Sequence, residues 1–250
     1  MMARVHRERV LLVGGQRALV MQLAHPKVAA GVAQHSDFPA RAMERLRRTL
    51  DLTLATVYGT EEEGRAAADA IRAVHDRVTG TAEGDPYRAD DPGLLQWVNA
   101  TLIDTTLLVY RRFVGHLGEE EERRYYLETR ESAVLFGIPQ EVVPEDLEAF
   151  RDYVGSMVEG PELRASADGR RLVRDVLRPP LPLHWRLPTE AVRLITLALL
   201  PDRIRELFGL RAGPVARLAL GGASLGSRLT LPLLPRGIRE FGYVRGRRRS

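Results

Sequence analysis

The sequence predicts an all-α fold, a single multi-helix bundle around one buried central helix, and three observations carry that prediction. Apolar residues recur at helical spacing through most of the chain. No run shows the period-two alternation of β-branched residues that a half-buried strand needs. Capping residues, glycines and prolines punctuate the chain at helix-length intervals. With 250 residues, 44% of them hydrophobic, the chain can bury one substantial core. The predicted domain covers residues 1–242, and 243–250 form a basic tail, with Arg245, Arg247, Arg248 and Arg249, that is expected to be disordered.

Val5 to Ala24 reads as two short helices around Gly14-Gly15. His25-Pro26 closes them, because the residue before proline is pushed out of helical geometry, and Pro26 opens a short helix toward Ala33. Ser36 and Asp37 supply capping groups for a helix from about Pro39 to Tyr58, with Met43, Leu46, Leu50, Thr53 and Val57 on one face. Thr60 followed by Glu63 is a capping-box pattern that opens a helix running to Thr79 and stopping at Gly80. Thr81 to Asp91 is polar and reads as a loop. From Leu94 to Val114 apolar residues occur almost all the way round, which marks the central helix, with Pro92 in its first turn. Further helices are predicted over Glu119–Phe136, Pro144–Val158, Gly169–Leu177, Thr189–Leu199 and Pro201–Phe208, with prolines at 161, 179, 180, 182 and 188 marking breaks. No fixed-period repeat is present.

Composition narrows the function. The absence of cysteine excludes disulfides, thiolate zinc sites, iron–sulfur ligation and a thiolate-ligated haem, which leaves histidine as the strongest soft-metal ligand. The net charge of +4 is unevenly spread, acidic at Glu61 to Glu63 and Glu119 to Glu122 and basic in the tail. Its arginines are scattered over helices without interleaved aromatic residues for base stacking, so nucleic acid is not the expected partner. Charged residues from Arg4 to Arg17 interrupt the N-terminal segment, and the longest apolar stretch, Leu194 to Leu200, is far short of the roughly 20 residues a membrane span requires. A cytoplasmic protein with at most peripheral membrane contact is expected.

In the helix beginning at Glu61, the apolar line Ala67, Ile71, Val74, Val78 defines an inward face with His75 on its flank, while Arg65, Asp69, Arg72 and Asp76 face water. Spacing alone leaves His75 open between a core histidine and a ligand. Arg45 and Thr49 are neighbours one turn apart and suit a carboxylate or an oxygen ligand, or else a solvated arginine beside a threonine bonded to its own backbone. His25 is the rival ligand, although a histidine there more often caps a helix. His35 is placed in a loop, and His6, His116 and His184 on the surface.

The ordered succession Leu23-Ala24-His25-Pro26, Arg45-Leu46-Arg47-Arg48-Thr49, Val74-His75-Asp76-Arg77-Val78-Thr79-Gly80, Tyr87-Arg88-Ala89-Asp90-Asp91-Pro92 and Trp97-Val98 resembles the MpaB and latex-clearing-protein (rubber oxygenase) catalytic domain. The resemblance covers roughly residues 5–210, most clearly 12–115. It implies a haem b pocket in an oxygenase-like domain, with iron held by His75 as proximal ligand and with Arg45 and Thr49 matching an R-x-x-x-T pair close to the cofactor. Asn99 stands where many bacterial members carry histidine. Arg48 replaces the rubber oxygenases' lysine, Thr79 replaces an arginine four residues after the ligand, and their catalytic glutamate has no counterpart. The resemblance thus implies dioxygen and an apolar small-molecule substrate, an isoprenoid or other lipid olefin, in a pocket around Leu50, Ile71, Leu102 and Leu107, with oxidative cleavage or oxygen insertion. The alternative is a non-catalytic helical lipid or isoprenoid carrier.

Overall fold

The computed structural model describes residues 1–36, 51–179, 184 and 186–241, and it is mostly helical, as predicted. In chain order come α1 (Met2–His6), a 3-10 turn (Arg9–Gly14), α2 (Gly15–Leu23), α3 (Pro26–His35), α4 (described over 51–58), α5 (Glu61–His75), β1 (Thr79–Ala82) and β2 (Asp85–Arg88). Then follow α6 (Pro92–Val109), α7 (Glu119–Leu135), α8 (Leu147–Glu159), α9 (Ala167–Leu177), α10 (Arg186–Leu199), α11 (Asp202–Leu207), α12 (Pro214–Thr230) and α13 (Arg236–Arg239). Most of the predicted helix from Pro39, with Met43, Leu46 and Leu50, and the tail 243–250 lie outside the described residues.

The helix starts follow local chemistry. Asp91 Oδ1 accepts from the amides of Gly93 at 2.9 Å and Leu94 at 3.2 Å, and Pro92 begins α6 where no amide hydrogen is needed. Asp146 and Ser166 cap α8 and α9 in the same way. The Thr60–Glu63 capping box is present in both directions.

Helix α6 is central. It touches α2, the 3-10 turn, α7 and α8, and it passes directly into a π-helical turn (Tyr110–Val114) that ends at Gly115. Trp97 faces one core, with Met21, Leu23, Leu172, Val173 and Ile204. Ala100, Ile103, Leu107 and Tyr110 face a second, with Val5, Tyr125, Tyr126 and Phe150. Each fully buried leucine in these clusters contributes roughly 2 kcal/mol through removal of apolar surface from water.

Polar contacts fix how the layers meet. The Arg17 side chain on α2 is buried and spans three elements: Nε donates to the Leu199 carbonyl at the end of α10 (2.9 Å), Nη1 to Thr105 Oγ1 on α6 (2.6 Å), and Nη2 pairs with Asp104 Oδ2 (2.7 Å). The 3-10 turn lies so close to α6 that a Cβ on Gly14 would come within 2.6 Å of Thr105 Cγ2 and 2.8 Å of Val109 Cγ2. The segment after α13 returns to the N-terminus, where buried Glu8 accepts from Arg239 Nε and Nη2, each at 2.7 Å, and the backbones of Glu8 and Glu240 form a bridge.

Four features depart from the sequence reading. Helix α5 stops at His75 instead of Thr79, and the predicted loop after it is largely an antiparallel hairpin pairing Thr79 with Arg88 and Ala82 with Asp85. Its four-residue strands are too short to show a period, and its two-residue turn, Glu83-Gly84, takes the positive φ angles (53° and 96°) that tight hairpins need. Helix α3 holds the hairpin in place: Gln34 Nε2 donates to the Thr81 carbonyl and His35 Nε2 to the Thr79 carbonyl, both at 2.9 Å, so His35 ends a helix and is not in a loop. Helix α12 was not predicted, because Gly221, Gly222 and Gly226 lower its helix propensity and apolar residues on both faces blur its period.

Two outcomes follow. Arg17→Ala should lower stability by about 3 kcal/mol, since it strands a carboxylate and a helix-end carbonyl, and Arg17→Lys should recover only part of that because an ammonium cannot span all three acceptors. Gly14→Ala should cost about 1–3 kcal/mol by forcing the 3-10 turn off α6. Urea denaturation midpoints measure both.

Candidate functional site

His75 is the last residue of α5, and its setting is built from that helix upward. The buried residues Gly64, Ala67 and Ala68, followed by half-buried Ile71 and His75, form one helical line. His75 therefore lies at the end of the inward face itself and not on its flank. Val74, one position back and about 100° round the helix, is 41% exposed, and Val78 lies beyond the helix, where it packs with Ala30, Ala82, Tyr87 and Leu94. The small residues let α5 approach its neighbours closely. Arg65, Asp69, Arg72 and Asp76 are exposed, as predicted, and Arg65 pairs with Glu61 and Arg72 with Asp69.

Burial pushes the His75 imidazole below the ordinary histidine range, and the carboxylates of Asp76 and Asp90 oppose this only in part. The ring is therefore uncharged at neutral pH. Its Nδ1 is buried without a hydrogen-bond partner among the described residues, which is unusual for a buried polar atom. Asp90 is held in place by Arg88, whose Nε and Nη2 donate at 2.9 and 2.7 Å and keep the carboxyl below its usual range.

The end of α5 is pinned to the end of α7 by Arg72 Nη1, which donates to the Leu135 carbonyl at 2.6 Å. The start of α6 meets the same region, where Leu95 packs against Ala133, Ile138 and Val143. One turn beyond Leu95, half-buried Asn99 also carries a buried polar atom, Nδ2, with no partner. On α7, one turn before Ala133, Arg130 Nε is buried and unpartnered as well. Among the described residues, unsatisfied polar atoms thus occur on α5, on α6 and on α7. Nothing in local spacing singled out Arg130; its one sequence signal is an arginine one turn from the apolar Ala133.

Arg45, Arg48 and Thr49 lie outside the described residues, so the R-x-x-x-T pair is not located relative to His75. Thr79 is in β1. Of the residues expected around a cavity, Leu50 lies outside the described residues, Ile71 is half-buried on α5, Leu102 is 40% exposed on α6, and Leu107, on another face of the same helix, is packed in the core with Tyr110 and Tyr125. Two open hollows are defined elsewhere, one of about 530 Å³ along the outer side of α5 at Glu62 and Arg65, and one of about 320 Å³ at Arg17, Asp104, Arg151 and Glu159. Neither is lined by His75 or Asn99. Among the described residues no group of three or more histidine, aspartate or glutamate side chains is placed to hold a metal ion.

The other histidines sort by contact. His25 caps α3, its Nδ1 accepting from the Lys27 amide at 3.3 Å, and burial followed by the charges of Lys27 and Arg164 pushes its pKa down to about 4. His6, read as a surface residue, instead stacks on Tyr125, with Nε2 3.1 Å from the phenol oxygen; desolvation holds its pKa at about 4. The reason for the misreading is that α1 is too short to display a face. His116 and His184 are exposed, as expected.

Compared with known proteins, residues 3–230 match the family described as ER-bound oxygenase mpaB/B'/Rubber oxygenase, catalytic domain. An uncharacterized protein of Mycobacterium tuberculosis is 26% identical over 172 residues, which span 66% of this chain and 68% of the relative, and an uncharacterized protein of Mycobacterium bovis is similar to the same extent. No solved structure matches the chain.

The two half-buried imidazoles, both desolvated, set a pH dependence. In the unfolded chain histidine titrates near 6.5, whereas folded His6 and His25 titrate near 4, so between these values only the unfolded state takes up the protons. Stability is fully present above that window and declines as pH falls through it. Urea midpoints measured from about pH 7 to about 4.5 should fall, and His6→Gln should make that slope shallower, because a residue with no titrating group replaces His6.

Proposed function

Because the chain belongs to the mpaB and rubber-oxygenase catalytic-domain family, we propose that it is a haem b-dependent oxygenase acting on an apolar, olefinic substrate of isoprenoid or lipid character. Oxygenase chemistry follows from the family. The observation that supports haem is His75, an uncharged imidazole on the inward face of α5 with a buried nitrogen that no group among the described residues satisfies. A haem brings four equatorial nitrogens of its own, so a single histidine is a sufficient protein donor.

When bound, the haem supplies the oxygen and one-electron chemistry that side chains lack. The remaining tasks belong to the chain. His75 would be the residue that holds the iron, and burial favours its uncharged imidazole, the form able to bind a metal. Asn99 offers an uncommitted amide donor from α6. Arg45 and Thr49, by their match to the family, orient oxygen or the haem edge, the arginine as a fixed cation and the threonine as a hydroxyl donor. The arginine at position 48, the threonine at 79 and the lack of a matched glutamate argue against rubber as the substrate.

A visible spectrum tests this. Protein purified from haem-supplemented cells should show a strong Soret band that vanishes in His75→Ala and survives in His25→Ala, whose histidine caps a helix. A colourless protein that co-purifies with lipid would overturn the oxygenase reading in favour of a carrier, and a Soret band untouched by His75→Ala would overturn the ligand assignment.

A further inference from the structure

Helix α12 is apolar on two faces. Its inner face, with Ala216, Leu220 and Ala223, packs on α10 and on the π-helical turn after α6, where Ser227 Oγ donates to the Phe113 carbonyl at 2.8 Å. Its outer face carries Val215, Leu218, Gly222, Leu225 and Leu229, all exposed, at spacings of three and four that form one continuous stripe. Leu218 is 76% exposed, and beyond the helix Leu233 and Ile238 extend the surface, with Leu233 at 82%. Single exposed apolar residues need no explanation, but a stripe along a helix already packed on its other side marks a surface that something covers.

Charge identifies the cover. No aspartate or glutamate occurs from Leu207 to Arg239, whereas five arginines do; Arg236 and Arg239 pair with Glu240 and Glu8, which leaves Arg211, Arg217 and Arg228 without a carboxylate partner among the described residues. Arg217 and Arg228 lie eleven residues apart, so they share one flank of the stripe. Arg228 is engaged with the backbone carbonyls of Arg111 and Arg112, which leaves its charge unneutralised, and Arg217 has no carboxylate partner among the described residues. Among those residues no helix is long and apolar enough to cross a membrane.

We propose that α12 and the segment through Ile238 dock on the surface of an anionic lipid bilayer, with the leucine stripe entering the headgroup boundary and the flanking arginines meeting lipid phosphates. A second copy of this chain fits less well, because two acid-free faces would set arginine against arginine. The assignment stands independently of the haem reading.

Sedimentation of the full chain with vesicles tests it. The chain should bind vesicles of phosphatidylcholine mixed with phosphatidylglycerol, bind phosphatidylcholine alone weakly, and release as salt is raised. The combined Leu218→Ser, Leu225→Ser and Leu229→Ser variant should bind at least about tenfold less with an unchanged circular dichroism spectrum and melting midpoint, since these side chains are in water. Arg217→Glu should weaken binding on its own, which gives a test that does not depend on the leucine variant folding. Absence of binding to either vesicle, binding indifferent to the leucine variant or to salt, or a dimer in solution that this variant converts to monomer would each overturn the proposal.

Discussion

A guanidinium taken out of water must have its donors satisfied, and Arg17 meets that demand by drawing α2, α6 and the end of α10 to one point. Dispersion and apolar burial would hold these helices together in many relative positions, because neither is directional. The planar fork of Arg17 selects one of them. With α6 held there and the Gly14 turn in close contact with it, the rest of the bundle has a fixed axis to pack on: the Trp97 core to one side and the Tyr125–Phe150 core to the other.

The candidate site forms where that axis meets two shorter elements. Helix α5 buries Gly64, Ala67 and Ala68, ends at His75, and is anchored by Arg72 to the last turn of α7. A hairpin tied to α3 follows within four residues, so the backbone on both sides of His75 is constrained. Unpartnered polar atoms at His75, Asn99 and Arg130 are costly to bury, on the order of 1–3 kcal/mol each. A fold that retains such groups is carrying a cost that a bound group can offset.

The far side of the molecule obeys a different balance. Helix α12 satisfies its inner face against α10 and the π-helical turn and leaves an equally apolar outer face among arginines. Oxygenase chemistry on an apolar substrate and a surface suited to anionic lipid are compatible, since lipids dissolve in the phase such a surface would touch.

The helical class, the central helix, the capping box at Thr60 and the inward-facing His75 were legible in the sequence, because each depends on 3.6-residue periodicity or on contacts within one turn. The family was legible as well, through short pieces in a fixed order. Tertiary structure alone decided the rest. The helix ends at His75 because strand β1 is claimed by Gln34 and His35, more than forty residues earlier in the chain. His6 is half-buried because Tyr125 lies over it, and Arg17 is a core residue because its partners come from positions 104, 105 and 199. Spacing records which side of an element is apolar; it carries no record of which distant atoms will meet a polar group there, and burial, proton affinity and an unsatisfied nitrogen all depend on that meeting.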